Sequence, residues 1–331
     1  MPETTVEVVE VTRGQELQAL VDSAYAKCLP IDEGDVATYI PELSYANPDH
    51  FGICLVTADG RVFEAGTCDK AFTIQSISKP FTFGLALEEL GHDKVFQHVG
   101  VEPSGDAFNS IQLQSDTNRP FNPMINSGAI TVTALLHAIY GNRTTDYLLD
   151  RFSALAGRTL SVDDAVYQSE RRTGHRNRAI AHLLLNFGIV HEEAEAALDI
   201  YFKQCAILVT SRDLAMMAAT LSNMGSHPIT GRSVFSVRYV KDVLSIMFTC
   251  GMYDYSGHWA YRVGVPAKSG VGGGVIAVVN RQLGISTYSP KLDRYGNSCR
   301  GTAVCVELAS QLGLHVFDCL NVGSRFLDAI L

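Results

Sequence analysis

Hydrophobic and polar positions follow different periods in different parts of the chain. Residues 14–28 carry apolar side chains at helical spacing, whereas residues 51–67 form two short apolar runs around Asp59-Gly60. An Asp-Gly pair between two such runs predicts a β-hairpin with a type I′ turn. From residue 76 to about residue 260, helical patterns dominate.

Several of these predicted helices end at a glycine, the residue that most readily adopts the left-handed conformation after a helix. The segment FTFGLALEELG ends at Gly91, and ITVTALLHAIYG ends at Gly141. Further helices are predicted for RNRAIAHLLLNFG, EEAEAALDIYFKQCAILV and SRDLAMMAATLSNMG. The middle of the chain is therefore predicted to be a helical lobe.

The pattern changes after residue 260. Lys268-Ser269-Gly270 and a glycine-rich stretch precede the apolar runs 275–279 and 283–288, which predicts three strands joined by a corner and a turn. A helix is predicted around residues 301–313. Strands near both ends with helices between them indicate an α+β fold, in which both termini build one antiparallel sheet that is flanked by helices and carries an inserted helical lobe.

The domain organisation follows from that pattern. No low-complexity linker or internal repeat divides the 331 residues. We expect one domain over residues 1–331, with its sheet part at about 30–75 and 262–320 and its helical lobe at about 80–260. Ankyrin repeats and other accessory domains are not expected.

Composition excludes several classes of function. A formal net charge of −9 argues against nucleic acid or an anionic membrane as the main partner. No run approaches the roughly 18 apolar residues that span a bilayer, and no signal peptide is evident. The eight cysteines form no C-x-x-C pair and the ten histidines no H-x-x-x-H pair, so we expect buried thiols rather than disulfides or a zinc site. The protein is expected to be cytoplasmic and to need no metal or other cofactor.

The stretch QSISKP, residues 75–80, is the first candidate for chemistry. If it opens a helix, Ser76 and Lys79 lie one turn apart on the same face. A lysine whose pKa is depressed can act as the base that activates a serine. Pro80 fits the first turn of a helix. Taken alone, however, the pair is equally compatible with ordinary polar residues in a first turn.

A second candidate is the stretch K-S-G at residues 268–270. Serine enzymes of the penicillin-recognising type combine S-x-x-K with such a motif on an edge strand. The glycines around Val271 would let its backbone N–H approach a reacting carbonyl closely. The same glycines could instead form a nucleotide-binding loop or a purely structural corner. A strand pattern follows them where a nucleotide-binding loop requires a helix.

One element of the penicillin-recognising pattern is matched only at the end of a predicted helix. No S-x-N occurs between residues 80 and 268, and Tyr45-Ala-Asn47 and Tyr295-Gly-Asn297 lie outside that interval. The Y-x-N match inside the interval, Tyr140-Gly141-Asn142, lies where the helix ITVTALLHAIYG is predicted to end. The architecture is therefore expected with a different helper residue, and an ordinary β-lactamase or peptidoglycan peptidase is disfavoured.

Six blocks of the sequence, in order, resemble the serine-dependent glutaminases over about residues 30–310. The blocks are VGVEPSGDAFNS, NPMINSGAI, SERRTGHRNRAIA, YFKQCAILVTSRDLA, TCGMYDYSG and AKSGVGGGV. The resemblance implies a β-lactamase-like fold, hydrolysis of L-glutamine to L-glutamate and ammonia, and assembly into homo-dimers or homo-tetramers.

The resemblance also implies roles for individual residues. It makes Ser76 the nucleophile and Lys79 its base, and it assigns the lysine of the K-S-G motif to Lys268. The positions that it matches to substrate-binding residues are Ser76, Asn126, Glu170, Asn177, Tyr201, Tyr253 and Val271.

Physical chemistry makes this transfer plausible. A buried acid suits the α-ammonium of glutamine, and asparagines offer both donors and acceptors. Without the resemblance, Glu170 would be assigned to a solvated surface among neighbouring arginines and Tyr201 to a hydrophobic core. Tyr253 lies in a glycine-flanked segment, where active-site residues are common.

The expected mechanism is acyl transfer. Neutral Lys79 takes the proton of Ser76, the N–H groups of Ser76 and Val271 hold the oxyanion, and Tyr253 relays a proton to the departing ammonia. Lys268 is expected to influence the protonation state of Lys79 or of the tyrosine. The alternatives are another serine amidase or β-lactam-recognising hydrolase, and a non-catalytic amino-acid sensor on the same fold.

Overall fold

Strands from distant parts of the sequence pair with one another. The computed structural model describes residues 4–105, 110–191 and 194–318. In chain order, the strands of these ranges are β1 (Asp35–Val36), β2 (Gly52–Thr57), β3 (Val62–Gly66), β4 (Phe72–Thr73), β5 (Ser161–Val162), β6 (Ile207–Val209), β7 (Ala267–Ser269), β8 (Gly274–Val279), β9 (Leu283–Tyr288) and β10 (Lys291–Leu292). The main sheet is antiparallel with the order β3-β2-β9-β8-β7. The predicted sheet from both ends of the chain is confirmed.

Helices cover both faces of this sheet. In chain order they are α1 (Thr4–Cys28), α2 (Ser78–Phe96), α3 (Asn126–Tyr140), α4 (Thr144–Ala156), α5 (Asp164–Thr173), α6 (His175–Asn186), α7 (Ala194–Cys205), α8 (Ser211–Ser222), α9 (Val237–Cys250), α10 (Ser256–Arg262) and α11 (Cys299–Leu312). Helices α1 and α11 pack on one face, and α8 packs on the other. Successive residues of β8 alternate between these two cores: Val275 and Ala277 join the first, and Ile276 joins the second.

The hairpin between β2 and β3 confirms the prediction in outline but differs in its turn. Gly60 donates its N–H to Thr57 O at 2.9 Å, and only Gly60 of the Asp59-Gly60 pair has a positive φ, +89°. A type I′ turn would need a positive φ at both residues. The chain instead forms a type I turn followed by a left-handed glycine, a common alternative in slightly longer loops.

The helix predicted to end at Gly91 does break there. Gly91 has φ +75° and ψ 172°, outside the helical region, but a second helical segment continues to Phe96. The predicted end at Gly141 is confirmed, since α3 ends at Tyr140. Helix α8 begins with a reciprocal capping box in which Thr210 and Asp213 each bond the other's backbone.

A second, three-stranded sheet was not predicted. It has the order β4-β6-β5 and pairs Phe72 with Val209. Strands of two or three residues are too short to show an alternating pattern. This small sheet matters because β4 leads directly into the QSISKP stretch, so its pairing fixes where that stretch begins.

The cysteines agree with the sequence-based expectation except at one position. Cys28, Cys54, Cys68, Cys205, Cys250 and Cys305 are buried free thiols, whereas Cys299 is half-buried. Cys319 lies outside the described residues. In the described ranges, no helix is both long and apolar enough to cross a membrane.

Gly284 sets the distance between α8 and the main sheet, and its substitution tests that packing. A Cβ at Gly284 would lie 2.3 Å from Ala219 N and 2.6 Å from Ala215 O, both backbone atoms of α8. We expect Gly284→Ala to lower the free energy of unfolding by about 1–3 kcal/mol, the usual cost of overpacking. Gly257→Ala is the matched control, because Gly257 has no atom within 4 Å of the added methyl. Urea denaturation should show a lower midpoint only for the first variant, and an unchanged midpoint for both would contradict this account.

Candidate active site

The predicted nucleophile lies in a tight turn just before α2. Residues Gln75–Ile77 form one turn of 3-10 helix, and Ser76 is buried at its centre. The prediction that Ser76 opens the α-helix was wrong, because α2 begins at Ser78. Gln75, the residue before Ser76, has a φ of +50°, which lies outside the helical region. Ser76 is therefore presented at a backbone corner rather than on a helix face.

Lys79 follows in the first turn of α2 and is almost completely withdrawn from solvent, with 1% of its surface exposed. Its Nζ donates to Asn126 Oδ1 at 2.7 Å and to Met124 O at 3.2 Å. Burial lowers the pKa of Lys79 to about 8, although the nearby Cys205 and Glu170 favour its charged form. A substantial fraction of Lys79 is thus neutral in mildly alkaline solution and able to accept a proton.

Tyr253 contacts the predicted nucleophile directly. Its phenol hydrogen-bonds the Ser76 side chain and donates to Ser269 O at 3.0 Å. Since a phenol has one hydrogen, which this bond uses, its oxygen can accept the hydroxyl hydrogen of Ser76. Burial raises the pKa of Tyr253 far above its ordinary value, which keeps the phenol protonated.

The backbone of Tyr253 is as unusual as that of Gln75, with φ +56°. The hydroxyl of Ser256 holds this conformation by donating to Tyr253 O at 2.8 Å and accepting from Met252 N at 3.0 Å. Left-handed non-glycine residues are uncommon and concentrate at functional sites. Two of them here lie on either side of Ser76.

Lys268 lies beneath Tyr253 and has no surface exposed to solvent. Its Nζ is 4.1 Å from the centre of the Tyr253 ring and donates to Ser269 O at 2.7 Å and Gly251 O at 2.9 Å. Burial, followed by the positive charge of Lys79, holds the pKa of Lys268 well below its ordinary value. Lys79 thus affects the pKa of Lys268, whereas the pKa shift of Lys79 has burial, Cys205 and Glu170 as its causes. The expected influence of Lys268 on Lys79 or Tyr253 stays a prediction.

A wall of buried polar groups faces these residues from the helical lobe. Asn126 Nδ2 donates to Asn177 Oδ1 at 2.9 Å, and the Tyr201 hydroxyl donates to Asn126 Oδ1 at 3.4 Å. Burial raises the pKa of Glu170 to about 8, and Lys79 opposes that shift. The Glu170 Oε2 atom is buried and has no hydrogen-bond partner among the described residues.

Val271 belongs to a glycine-rich turn that packs against the nucleophile's own turn. A Cβ at Gly270 would lie 3.0 Å from Ile74 O, and one at Gly272 would lie 2.9 Å from Thr73 O. Gly270 N and Gly274 O close the turn with a bond of 3.0 Å. The glycines therefore allow the backbone around Val271 to pack against the segment 73–77 that carries Ser76. The close approach of the Val271 N–H to a reacting carbonyl stays a prediction.

Sequence reasoning missed two polar groups at this site. Tyr39 lies beside Asn177 and Glu170, and burial, with an added contribution from Glu170, raises the pKa of Tyr39 to about 12. Cys205 contacts Tyr201, and burial raises the pKa of the Cys205 thiol well above its ordinary value. Tyr39 comes from an irregular segment with no periodic signal. No motif in the sequence distinguishes Cys205 from the other cysteines that are expected to be buried.

Comparisons with known proteins agree with this geometry. The family model described as Glutaminase matches residues 34–317. A protein named "Glutaminase" from Trichormus variabilis is 52% identical over 310 residues, which cover 94% of this chain and 93% of that protein. A "Glutaminase" from Corynebacterium glutamicum is 45% identical over 90% of this chain and 72% of its own length. The chain belongs to the glutaminase family.

Solved glutaminase structures have the same fold as this chain. A structure described as a probable glutaminase, ybaS, has a TM-score of 0.89 and 41% identity over 92% of this chain and 98% of its own. A structure of Mglu in its glutamate form has a TM-score of 0.87 and 43% identity over 91% of this chain and 70% of its own. The α+β, β-lactamase-like fold expected from the resemblance to glutaminases is confirmed.

The burial of Glu170 gives this glutaminase a testable pH signature. The pKa of Glu170 is about 8 in the folded state, against an ordinary value of 4.5. Between these two pH values, Glu170 keeps its proton in the folded protein but loses it in the unfolded chain. The free energy of unfolding therefore falls as pH rises through this window. Glu170→Gln removes the effect. We expect its unfolding free energy relative to the wild type to increase by on the order of 3 kcal/mol between about pH 5 and about pH 8.

The measurement is urea denaturation at both pH values, with Glu195→Gln as the control. Glu195 is an exposed acid that bonds His182, so its variant should follow the wild type. A constant difference between Glu170→Gln and the wild type at all pH values would show that the pKa of Glu170 is not raised in the folded protein.

Proposed function

We propose that this chain hydrolyses L-glutamine to L-glutamate and ammonia through a glutamyl ester of Ser76. Family membership makes it an amidohydrolase, and the site supports a serine mechanism. The single observation that carries the proposal is the arrangement around Ser76: a hydrogen bond to Tyr253, and a buried lysine of lowered pKa one turn further along the chain. A serine needs such an environment to become a nucleophile.

The first step transfers the Ser76 proton to neutral Lys79 while Ser76 Oγ bonds to the δ-carbon of glutamine. Lys79 Nζ donates hydrogen bonds to Asn126 and Met124. We propose that it moves toward Ser76 when substrate enters, since catalytic hydrogen bonds commonly tighten only in the substrate complex. Tyr253 orients the Ser76 hydroxyl and remains protonated during this step.

Glutamine is held by its two charged α-substituents. We assign the α-ammonium to Glu170, whose unpartnered buried Oε2 would gain a cation as its partner. The ammonium would also favour the ionised form of the carboxyl group. Asn126, Asn177, Tyr201 and Tyr39 complete the wall of the pocket, where their amide and phenol groups can bind the remaining polar atoms of the substrate.

The tetrahedral intermediate places a negative charge on the former amide oxygen. We propose that the N–H groups of Ser76 and Val271 bind this oxyanion, because the two turns that carry them are packed against each other. The intermediate collapses when the C–N bond breaks and the proton that Lys79 took from Ser76 passes through Tyr253 to the leaving nitrogen, which makes Lys79 neutral again. Lys268 lies against the ring of Tyr253. Water then attacks the ester and gives a proton to Lys79. This proton returns to Ser76 Oγ as the ester C–O bond breaks and L-glutamate leaves.

The organisation of the protein beyond this site stays a set of predictions. We propose that residues 1–331 form one catalytic domain that acts as a homo-dimer or homo-tetramer in the cytoplasm and requires no metal or other cofactor. The resemblance to the glutaminases supports the homo-oligomeric assembly, and the sequence supports the cytoplasmic location.

Ser76→Ala tests the nucleophile. The variant should fold with an unchanged denaturation midpoint and lose ammonia release from L-glutamine by a factor of at least about 10³, since it cannot form the acyl-enzyme. The same assay with asparagine and a chromogenic β-lactam distinguishes glutaminase activity from a general serine amidase. Turnover above about one per cent of the wild type in Ser76→Ala would refute the assignment.

The pH dependence of the reaction tests the base. Only neutral Lys79 can accept the Ser76 proton, so kcat should rise with pH and level off above the pKa of about 8. The ionisation of Glu170 acts in the same direction on kcat/KM, and saturation with glutamine separates the two effects. A kcat that is constant between about pH 6 and about pH 9 would exclude Lys79 as the titrating base.

A further inference from the structure

A chain of buried hydrogen bonds leads from the helical lobe to the turn that carries Ser76. Gln204 Nε2 donates to Ser78 Oγ at 2.8 Å, and Ser78 Oγ donates to Gln75 O at 2.8 Å. At the other end, the Thr133 hydroxyl lies 3.3 Å from Gln204 Oε1 and 2.9 Å from Ala129 O. The mechanism above uses none of Ser78, Gln204 and Thr133.

The direction of each bond in this chain is determined by the one before it. The single hydroxyl hydrogen of Ser78 goes to Gln75 O, so Gln204 must present its NH₂ group to Ser78. Its Oε1 then faces the Thr133 hydroxyl, whose single hydrogen is shared between Gln204 Oε1 and Ala129 O. All three side chains are buried, and Gln204 has 2% of its surface exposed. A buried amide in this setting is stabilising only when both of its ends are bonded, so the three residues act as a unit.

This chain of hydrogen bonds ends at Gln75, whose backbone conformation is unfavourable for an L-residue. Gln75 precedes Ser76 and has the left-handed φ of +50°, a conformation that costs an L-residue on the order of 1 kcal/mol or more. The β-carbon of Gln75 also lies 3.5 Å from the position of a Cβ at Gly270. A rotation of the Gln75 peptide would therefore move Ser76 relative to the turn that carries Val271.

We propose that Ser78, Gln204 and Thr133 are positioning residues that hold the Gln75 carbonyl, and through it the Ser76 hydroxyl, in the reactive geometry. This inference rests on the proposed role of Ser76 as nucleophile. None of the three residues touches the substrate. Their removal affects the alignment of the attacking oxygen, so it lowers kcat and leaves the binding of glutamine unchanged.

A matched pair of variants on α3 separates this role from a general loss of buried hydrogen bonds. Thr131 and Thr133 are both fully buried, and each bonds the carbonyl four residues earlier at 2.9 Å. Only Thr133 also contacts Gln204. Thr133→Val and Thr131→Val remove the same chemical group at nearly constant volume, and they differ in whether the chain to Ser76 is broken.

The experiment measures kcat, KM and the denaturation midpoint of both valine variants, of Ser78→Ala and of Gln204→Met. We expect kcat to fall about 10- to 100-fold in Ser78→Ala and about 3- to 10-fold in Thr133→Val, the scale of effects caused by small misplacements of reacting groups. KM should stay within about twofold of the wild type in both. Thr131→Val should keep kcat within about twofold even where its midpoint falls as far as that of Thr133→Val.

The double variant Ser78→Ala/Gln204→Met tests whether the residues act as a unit. Its kcat should be no lower than that of the single variant with the lower kcat, because either substitution alone already breaks the chain of hydrogen bonds. Wild-type kcat in Ser78→Ala, or equal losses in the two threonine variants, would overturn the inference. If Ser78→Ala does not fold, the threonine pair decides.

Ser76→Ala distinguishes the failure of this inference from the failure of the proposed function. An inactive Ser76→Ala variant together with wild-type kcat in Ser78→Ala and Thr133→Val would reject only the positioning role. An active Ser76→Ala variant would reject the nucleophile, and the positioning role with it.

Discussion

The withdrawal of charged groups from water around Ser76 is the constraint on which the site depends. Lys79, Lys268 and Glu170 are all buried, and burial is the largest cause of the pKa shift in each. An isolated charge in such surroundings would destabilise the fold by far more free energy than one hydrogen bond contributes. The fold accommodates the three groups by moving their pKa values toward the range in which they are neutral. The same adjustment gives a lysine that can act as a base.

Keeping these groups apart from water requires that two parts of the chain close on each other. Ser269, Val271 and Lys268 come from the edge of the main sheet, whereas Asn126, Glu170 and Tyr201 come from the helical lobe. The turn at Gln75–Ile77 lies between them, since it follows the small sheet and leads into α2. The position of Ser76 therefore depends on contacts from both sides, and no single element determines it.

Sequence patterns predicted the parts of this arrangement that repeat. Periodic apolar positions gave α3, α8 and the strands of the main sheet, because such elements bury one face or both over many residues. The exceptional parts were not predictable in this way. The left-handed backbones of Gln75 and Tyr253 have no periodic signal in the sequence, and the type of the hairpin turn at Gly60 depended on one residue of loop length. Tyr39 reaches the site from an irregular segment, and only the folded chain brings it beside Asn177.

The same type of hydrogen bond stabilises the left-handed backbone of Gln75 and that of Tyr253. In each case, a serine three residues later donates its hydroxyl to the carbonyl of the strained residue: Ser78 to Gln75 and Ser256 to Tyr253, both at 2.8 Å. A short side chain that bonds a nearby backbone carbonyl can stabilise a turn that the backbone alone disfavours. In the proposed mechanism, Gln75 and Tyr253 set the positions of two oxygens that act on the substrate, the hydroxyl of Ser76 and the phenol of Tyr253. Backbone strain and its local compensation are therefore concentrated where the alignment of two oxygen atoms matters most.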